Sequence, residues 1–334
     1  MKLVAIDSVA RHVADVSAAA AFYEALGFTR ARDGVSAWEQ DPLEAALRGT
    51  HGFERRELTL TLPSAVSHRQ FPIRLREYRG GERRDWSGLK PWSLGSGHLG
   101  LGVGDPQRTW DELATAGQLR SHTRGDRPIP MPDEMRPEQE RHVPRPFAAF
   151  LDPDGLLIEI QPKRMGQPAT PNMVELADER PGFSHVNINV PDMGAAAQFF
   201  SGLGVEFPTG PYESYTLPFL SQLFDTPAND AGWKIVYGRM PEAETDGVMM
   251  PIEFIEFEAF RDDCGYGSAR LSDVNVTVLC LRVNRIDELL AALVEAGATC
   301  YSPAGVVTLG DGARAVVIRA PGMKAFVELC DYGD

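Results

Sequence analysis

Two histidines and two glutamates sit where their chemistry would be exposed to a pocket. In FSHVNINV, period-two alternation sends Val186, Ile188 and Val190 to one strand face and His185, Asn187 and Asn189 to the other. His98 heads GHLGLGV. Glu159 lies between Ile158 and Ile160, and Glu253 between Ile252 and Phe254, so alternation turns each carboxylate away from its apolar neighbours. Neutral imidazole and carboxylate are suitable ligands for Zn²⁺, Fe²⁺, Ni²⁺ or Mn²⁺, with geometry selecting among them. A carboxylate enclosed without such a partner would be costly or would take up a proton.

The elements that carry these residues recur four times. The stretch Phe183 to Phe200 reads as a strand, a Pro191-Asp192 turn and an Ala-rich helix. Ile6 to Phe28 repeats it with a turn at Asp15 and a stop at Gly27, and Gly97 to Gly117 repeats it with a turn at Asp105-Pro106. Leu271 to Gly297 is the fourth opener, its helix carrying Leu289, Leu290, Leu293 and Val294 on one side. Each unit then closes on an alternating strand: Phe71 to Tyr78, Phe150 to Gln161, Met250 to Phe260, and Met323 to Cys330. The expected fold class is α+β, four βαβββ modules pairing into two curved mixed sheets with flanking helices. The chain divides into a unit over residues 1–161 (modules 1–78 and 97–161), a linker at 162–181, and a unit over 182–334 (modules 182–260 and 271–334). Arg124 to Pro146 and Leu217 to Gly232 read as long functional loops or lids.

Composition narrows the task. The 334 residues carry Asp+Glu 47 against Lys+Arg 33, a net charge of −14 that repels nucleic acid and anionic membrane and favours a small-molecule partner. No apolar run approaches the ~20 residues that span a bilayer, and the N-terminus has no secretory pattern, so a cytoplasmic protein is expected. Cys264, Cys280, Cys300 and Cys330 lack any CxxC spacing, which excludes zinc-finger and thioredoxin readings and leaves reduced thiols.

With GHLGLGVGDP, FSHVNINVPDM and DPDGLLIEI in ordered repetition, the chain resembles the vicinal oxygen chelate superfamily. That superfamily includes glyoxalase I, methylmalonyl-CoA epimerase, fosfomycin-resistance proteins and type I extradiol dioxygenases. The resemblance implies that two modules share a bowl and supply metal ligands from their first and last strands. Registering the openers places Ser8, His98 and His185 at one position, with Asp273 or Val278 in the fourth; the closers place Arg74, Glu159, Glu253 and Glu328 at the other. Pairing modules one with two, and three with four, leaves neither bowl complete. Pairing two with three collects His98, Glu159, His185 and Glu253, and leaves Ser8, Arg74 and Glu328 in a degenerate bowl where Arg74 is expected to pair with Glu328.

The resemblance further implies a divalent metal that chelates two oxygens of a small substrate, with Glu159 or Glu253 as general base. The expected activity is a lyase or isomerase of the glyoxalase type. An Fe²⁺-dependent extradiol dioxygenase is the alternative enzyme, and a bleomycin-resistance-like binder the non-enzymatic one. Four modules complete both bowls in one chain, so monomer and homodimer both remain open. Further candidates are an anion-binding set on the loops, His122, Arg124, Arg127, Arg141, His142 and Arg145, the run RLREYRGGERRDW, and pocket walls from Tyr212, Tyr215, Phe219 and Phe224.

Overall fold

The computed structural model describes residues 3–31, 34–63, 70–95, 97–133, 138, 146–162, 181–207, 215–216, 218–227, 232–238, 252–258, 265–323 and 325–333. Module one comprises β1 (Leu3–His12), α1 (Val16–Ala25), β2 (Thr29–Arg30), α2 (Pro42–Arg48), β3 (Glu54–Pro63) and β4 (Gln70–Arg79). Module two comprises β5 (His98–Val103), α3 (Pro106–Thr115), β6 (Ile129–Pro130), β7 (Pro146–Leu151) and β8 (Leu157–Pro162). Module three runs β9 (Gly182–Asn189), α4 (Met193–Leu203), β10 (Tyr215–Thr216), α5 (Pro218–Leu223), β11 (Gly232–Gly238) and β12 (Ile252–Phe257). Module four is β13 (Val276–Val283), α6 (Ile286–Glu295), β14 (Thr299–Cys300), β15 (Val307–Thr308), β16 (Arg314–Arg319) and β17 (Phe326–Asp331).

The aspartates read as turns are helix caps. Asp15 accepts from the Ser17 and Ala18 amides, Asp105 from Gln107 and Arg108, and Asp192 from Ala195, each satisfying donors the first turn leaves open. Helix α2 was not anticipated, although DPLEAALR carries its signals: Asp41 caps it, Pro42 starts it and Gly49 closes it at φ 64°.

Two mixed sheets result. One has the order β14-β16-β17-β13-β1-β4-β3-β2, with β15 beside β16; the other has β10-β11-β12-β9-β5-β8-β7-β6. Modules one and four therefore share a sheet, as do two and three. The division at 162–181 is not a division between sheets, since each sheet takes one module from either side of it. One continuous core unites them, formed by the apolar strand faces (Val9, Leu101, Ile158, Ile188, Phe254, Val327) and the helices packed on them (Phe22, Trp110, Phe200, Leu289). Phe71 of β4 stacks on Phe183 of β9 at 3.7 Å between ring centroids, joining the two sheets.

A buried polar tie crosses the same junction. Arg11 on β1 donates to Asp152 (3.1 Å), Asn275 (2.8 Å) and Thr277 (2.7 Å), while Tyr23 on α1 donates to Asp152 at 2.9 Å. Asp152 also accepts from the amides of Asp154 and Leu156, so the DPDG segment turns its own hairpin and locks module two onto modules one and four. Arg11 and Asp152 are fully buried, where a charge is tolerated only if paired and hydrogen-bonded.

The sheet of modules one and four has a filled inner face. Leu47 of α2 packs there with Ala10, Val278, Cys280, Val317 and Phe326. Register resolves the fourth opener: Cys280 pairs with Glu328 as Asn187 pairs with Glu253 and Gly100 with Glu159, so Val278 stands where His185 and His98 stand. Asp273 instead accepts from the Arg84 amide, the Trp86 indole and the Arg270 amide. The expected Arg74–Glu328 pair does not form. Glu328 is bound by Arg48 at 2.6 Å and Arg76 at 3.6 Å, whereas Arg74 is taken by Asp7 at 2.7 Å. The unread helix α2 delivers Arg48 to Glu328, and Arg76 follows Arg74 on the same strand face. Together they hold the Glu328 carboxylate down at about 2, although burial alone would raise it.

Candidate metal centre

On the second sheet the face away from α3 and α4 carries a second apolar cluster. Ile129, Phe147, Leu157, Trp233, Ile255 and Phe257 line it, and α5 lays Phe219, Leu220, Leu223 and Phe224 against them. At one end, where β5 and β9 meet antiparallel and β8 and β12 flank them in parallel, four polar side chains converge. His98 Nε2 lies 2.9 Å from His185 Nε2 and 3.1 Å from Glu253 Oε2. Glu159 Oε2 is 3.6 Å from His98 Nε2, and Glu253 Oε2 is 3.6 Å from His185 Nε2. All four are buried. The ligand atoms of His98, Glu159 and His185 fall within 4.8 Å of one another.

The backbone builds this convergence through two irregularities. Between the pairs Gly100–His185 and Leu101–Phe183 the register of β9 shifts by one residue at Ser184. That bulge lets Phe183 join the core while His185 turns inward. Gly100 then makes room: a Cβ there would lie 2.1 Å from His185 Cε1 and 2.5 Å from its Nε2. Glycine inside a strand marks such a close approach. Behind the imidazole, Ser184 Oγ lies 3.3 Å from His185 Nδ1 and accepts from Gln161 Nε2 at 2.6 Å. Nδ1–H donating to Ser184 leaves Nε2 with its lone pair toward the other ligands.

The two carboxylates are held differently. Glu253 Oε2 accepts from Asn187 Nδ2 at 3.0 Å, and the Tyr237 hydroxyl also donates to this carboxylate. Burial would raise the Glu253 carboxyl, but His185, His98 and Tyr237 outweigh it and keep it ionised. Glu159, whose one ion-pair partner among the described residues is His98, is pushed up by burial and by the charge of Glu253. Burial lowers His185 to about 4, so it is neutral at pH 7, whereas for His98 the hydrogen bond and charge of Glu253 and the charge of Glu159 overcome burial and raise it.

His98, Glu159 and His185 make a compact set of the kind that holds a divalent ion, with Glu253 within 3.1 and 3.6 Å of the two imidazoles. Two ligand atoms bound about 2.1 Å from one ion are separated by roughly 2.9 to 3.4 Å, depending on geometry. The contacts of 2.9 and 3.1 Å fall in that interval, and the two of 3.6 Å lie just beyond it. Two buried carboxylates facing two imidazoles, with no lysine or arginine acting on Glu159, His98 or His185 among the described residues, need a cation or protons to balance them.

The other sequence candidates fall elsewhere. Arg124 is a clamp: Nε binds Asp225 at 2.9 Å, its guanidinium also reaches Thr226 O, and its amide binds Gln222 O, which ties the loop after α3 to the end of α5. Arg127 lines a cavity of about 620 Å³ with Ile129, Pro218 and Phe219, to which His98, Glu159, His185 and Glu253 do not contribute. Phe224 sits 5.4 Å from the His98 ring and so does wall the site, whereas Phe219 packs edge-on against Phe147. His122 is partly buried beside Phe224. Arg141, His142, Arg145, Tyr212, Cys264 and the Tyr215 side chain lie outside the described residues. In RLREYRGGERRDW the arginines are structural, Arg76 on Glu57, Arg79 on Glu54 and Arg84 on Ser268. Tyr237 and Gly100 were not anticipated. The glycine spacing of GHLGLG and the inward alternation Trp233, Ile235, Tyr237 were the available signals.

Residues 5–160 match the family model of the Glyoxalase/Bleomycin resistance protein/Dioxygenase superfamily. The chain carries a domain of that superfamily, and the match follows the order of modules one and two although they lie in different sheets. A mutant of glyoxalase I from Zea mays has the same fold over 99% of this chain and 94% of its own, with a TM-score of 0.59 and 14% identity. A candidate dioxygenase from Bacillus subtilis covers 100% of this chain and 86% of its own, with a TM-score of 0.54 and 14% identity. No curated protein matches the sequence. Among the described residues no helix is long and apolar enough to cross a membrane.

Proposed function

We propose that the chain is a divalent-metal-dependent enzyme that binds a small oxygenated organic substrate through two adjacent oxygens and transfers a proton on it, as a lyase or isomerase. The observation that carries this reading is the buried cluster of His98, Glu159 and His185, whose ligand atoms lie within 4.8 Å of one another, with Glu253 3.1 Å from His98 and 3.6 Å from His185. The ion, Zn²⁺, Fe²⁺, Ni²⁺ or Mn²⁺, would supply Lewis acidity toward a carbonyl or a pair of substrate oxygens. The protein supplies the rest. Glu253, tied to Asn187 and Tyr237, is the fixed carboxylate. Glu159, which among the described residues accepts no side-chain hydrogen bond and has His98 at 3.6 Å as its ion-pair partner, has the freedom to swing toward a substrate carbon and take its proton as general base. Phe224 against His98 and Tyr237 against His185 narrow the approach and restrict water. The free thiols Cys280, Cys300 and Cys330 fit a reducing, cytoplasmic setting.

The test is proton exchange. Metal-loaded protein in D₂O, with a panel of α-hydroxy and α-keto carbonyl compounds followed by NMR, should exchange or isomerise one class of substrate. Glu159→Gln should retain metal yet lose exchange by at least about 100-fold. If Glu159→Gln exchanges as fast as wild type, Glu159 is not the base. A second reading draws on the compact trio His98, Glu159 and His185, a two-histidine, one-carboxylate set of the kind that holds Fe²⁺ in oxygenases. Oxygen uptake by anaerobically Fe²⁺-loaded protein with a catechol, without proton exchange, would select it. A metal-free binding protein is disfavoured by the paired buried carboxylates.

A further inference from the structure

Among the described residues Leu43, Tyr237, Val294 and Tyr332 are the large hydrophobic side chains left exposed. Leu43, Val294 and Tyr332 belong to modules one and four. Tyr237 belongs to the sheet that carries the metal centre, and it is 45% exposed while touching two residues of that centre. Register places it directly opposite Glu253, on the strand face it shares with Trp233 and Ile235. Its ring stands edge-on to His185, with centroids 6.2 Å apart, and its hydroxyl donates to the Glu253 carboxylate. The other end of that hydrogen bond is dry, for Glu253 is only 4% exposed. A charge-assisted bond with one end in low dielectric is stronger and more directional than one in water.

We propose that Tyr237 is a positioning residue of the metal centre: its hydroxyl, with Asn187, fixes Glu253 as the permanent carboxylate ligand, and its ring forms the solvent-facing wall past which substrate enters. The proposal rests on the metal-dependent reading above. Its consequence is a division of labour between two like residues. Asn187 and Tyr237 hold Glu253 from two directions, whereas no side-chain donor among the described residues holds Glu159 in the same way. The carboxylate that stays and the one that moves are set by the strand opposite Glu253.

Co²⁺ serves as the probe, because its visible absorption reports ligand number and geometry. The full chain, freed of metal, is titrated with Co²⁺ as wild type, Tyr237→Phe and Tyr332→Phe. Each variant loses one hydroxyl from a half-exposed ring, so both should fold. For Tyr237→Phe the expected result is a Co²⁺ dissociation constant about 10-fold higher and an altered visible band, as Glu253 loses its orientation. Tyr332→Phe should superimpose on wild type. Wild-type affinity together with a wild-type band in Tyr237→Phe would overturn the proposal. Weaker binding with an unchanged band would also count against it, since general loosening, not Glu253, would then be at fault. A wild-type chain that binds no Co²⁺ would overturn the metal reading itself, and this proposal with it.

Discussion

Gly100→Ala adds one methyl group at the most crowded point of the candidate centre. The new carbon would stand 2.1 Å from His185 Cε1, 2.4 Å from Nδ1 and 2.5 Å from Nε2. Carbon atoms in contact settle near 3.5 to 4 Å, so the ring has to retreat by more than about 1 Å. Gly100 is on a strand and needs no left-handed backbone, so the effect is one of space alone. The retreat takes Nε2 away from His98, now 2.9 Å distant, and breaks the 3.3 Å approach of Nδ1 to Ser184. Overpacking of this kind costs about 1–3 kcal/mol, and misplacing a ligand or its supporting group costs about 10–100-fold in metal affinity. Affinity measured by competition against a chromophoric chelator, with urea unfolding of the metal-free chain, gives both quantities. Gly202→Ala is the control: nothing lies within 4 Å of its added carbon, it sits in α4, and it should be neutral or gain up to about 1 kcal/mol. Gly100→Ala with wild-type stability and wild-type affinity would refute the packing of His185 on Gly100, and with it the geometry of the centre.

Other expectations concern the filled bowl of modules one and four. Arg48→Leu strips the 2.6 Å partner from a carboxylate that is 1% exposed, and should cost roughly 3 kcal/mol in urea unfolding while leaving metal affinity unchanged. Adding Glu328→Gln to Arg48→Leu should recover part of that loss; a double variant weaker than the sum of the two single ones would contradict the pairing. Glu328 titrates near 4.3 when unfolded and at about 2 when folded. Below about pH 4.5 the unfolded chain takes up a proton that the folded chain refuses, so the Glu328 contribution is full above that pH and is lost toward pH 2. The stability gap between wild type and Glu328→Gln should therefore be flat above about pH 5 and change as the pH falls toward 2. Asp154, which burial pushes up to about 6, has the opposite sign. Its ionisation weakens the fold as the pH rises toward and through 6, so Asp154→Asn should gain more, relative to wild type, at about pH 7 than at about pH 4.

The repeat made most of the fold legible. Strand, aspartate, helix and glycine recur in three modules because one carboxylate satisfies the first helical amides and one glycine lets the chain leave the helix. Module four replaces the aspartate with Arg285, which takes φ 56° and makes no side-chain cap, so its opener admits two registers from sequence, at Asp273 or Val278. Strand alternation placed His98, Glu159, His185 and Glu253 on polar strand faces one by one, and the family resemblance, which implies ligands from the first and last strands of paired modules, made them a set. What stayed hidden depends on contacts between distant segments. Arg48 meets Glu328 across 280 residues, through a helix in a segment read as strand-like. The Ser184 bulge, the Gly100–His185 packing and the hydrogen bond from Tyr237 to Glu253 all follow from which strands lie side by side, which a single module does not encode.

The most direct test of the central claim is metal content. Protein purified without chelators and analysed by inductively coupled plasma mass spectrometry should carry one divalent transition metal per chain. His98→Ala and His185→Ala should each lose it while retaining the helix and sheet signature of the wild type. A wild-type chain with no stoichiometric metal, or alanine variants that keep it, would contradict the account.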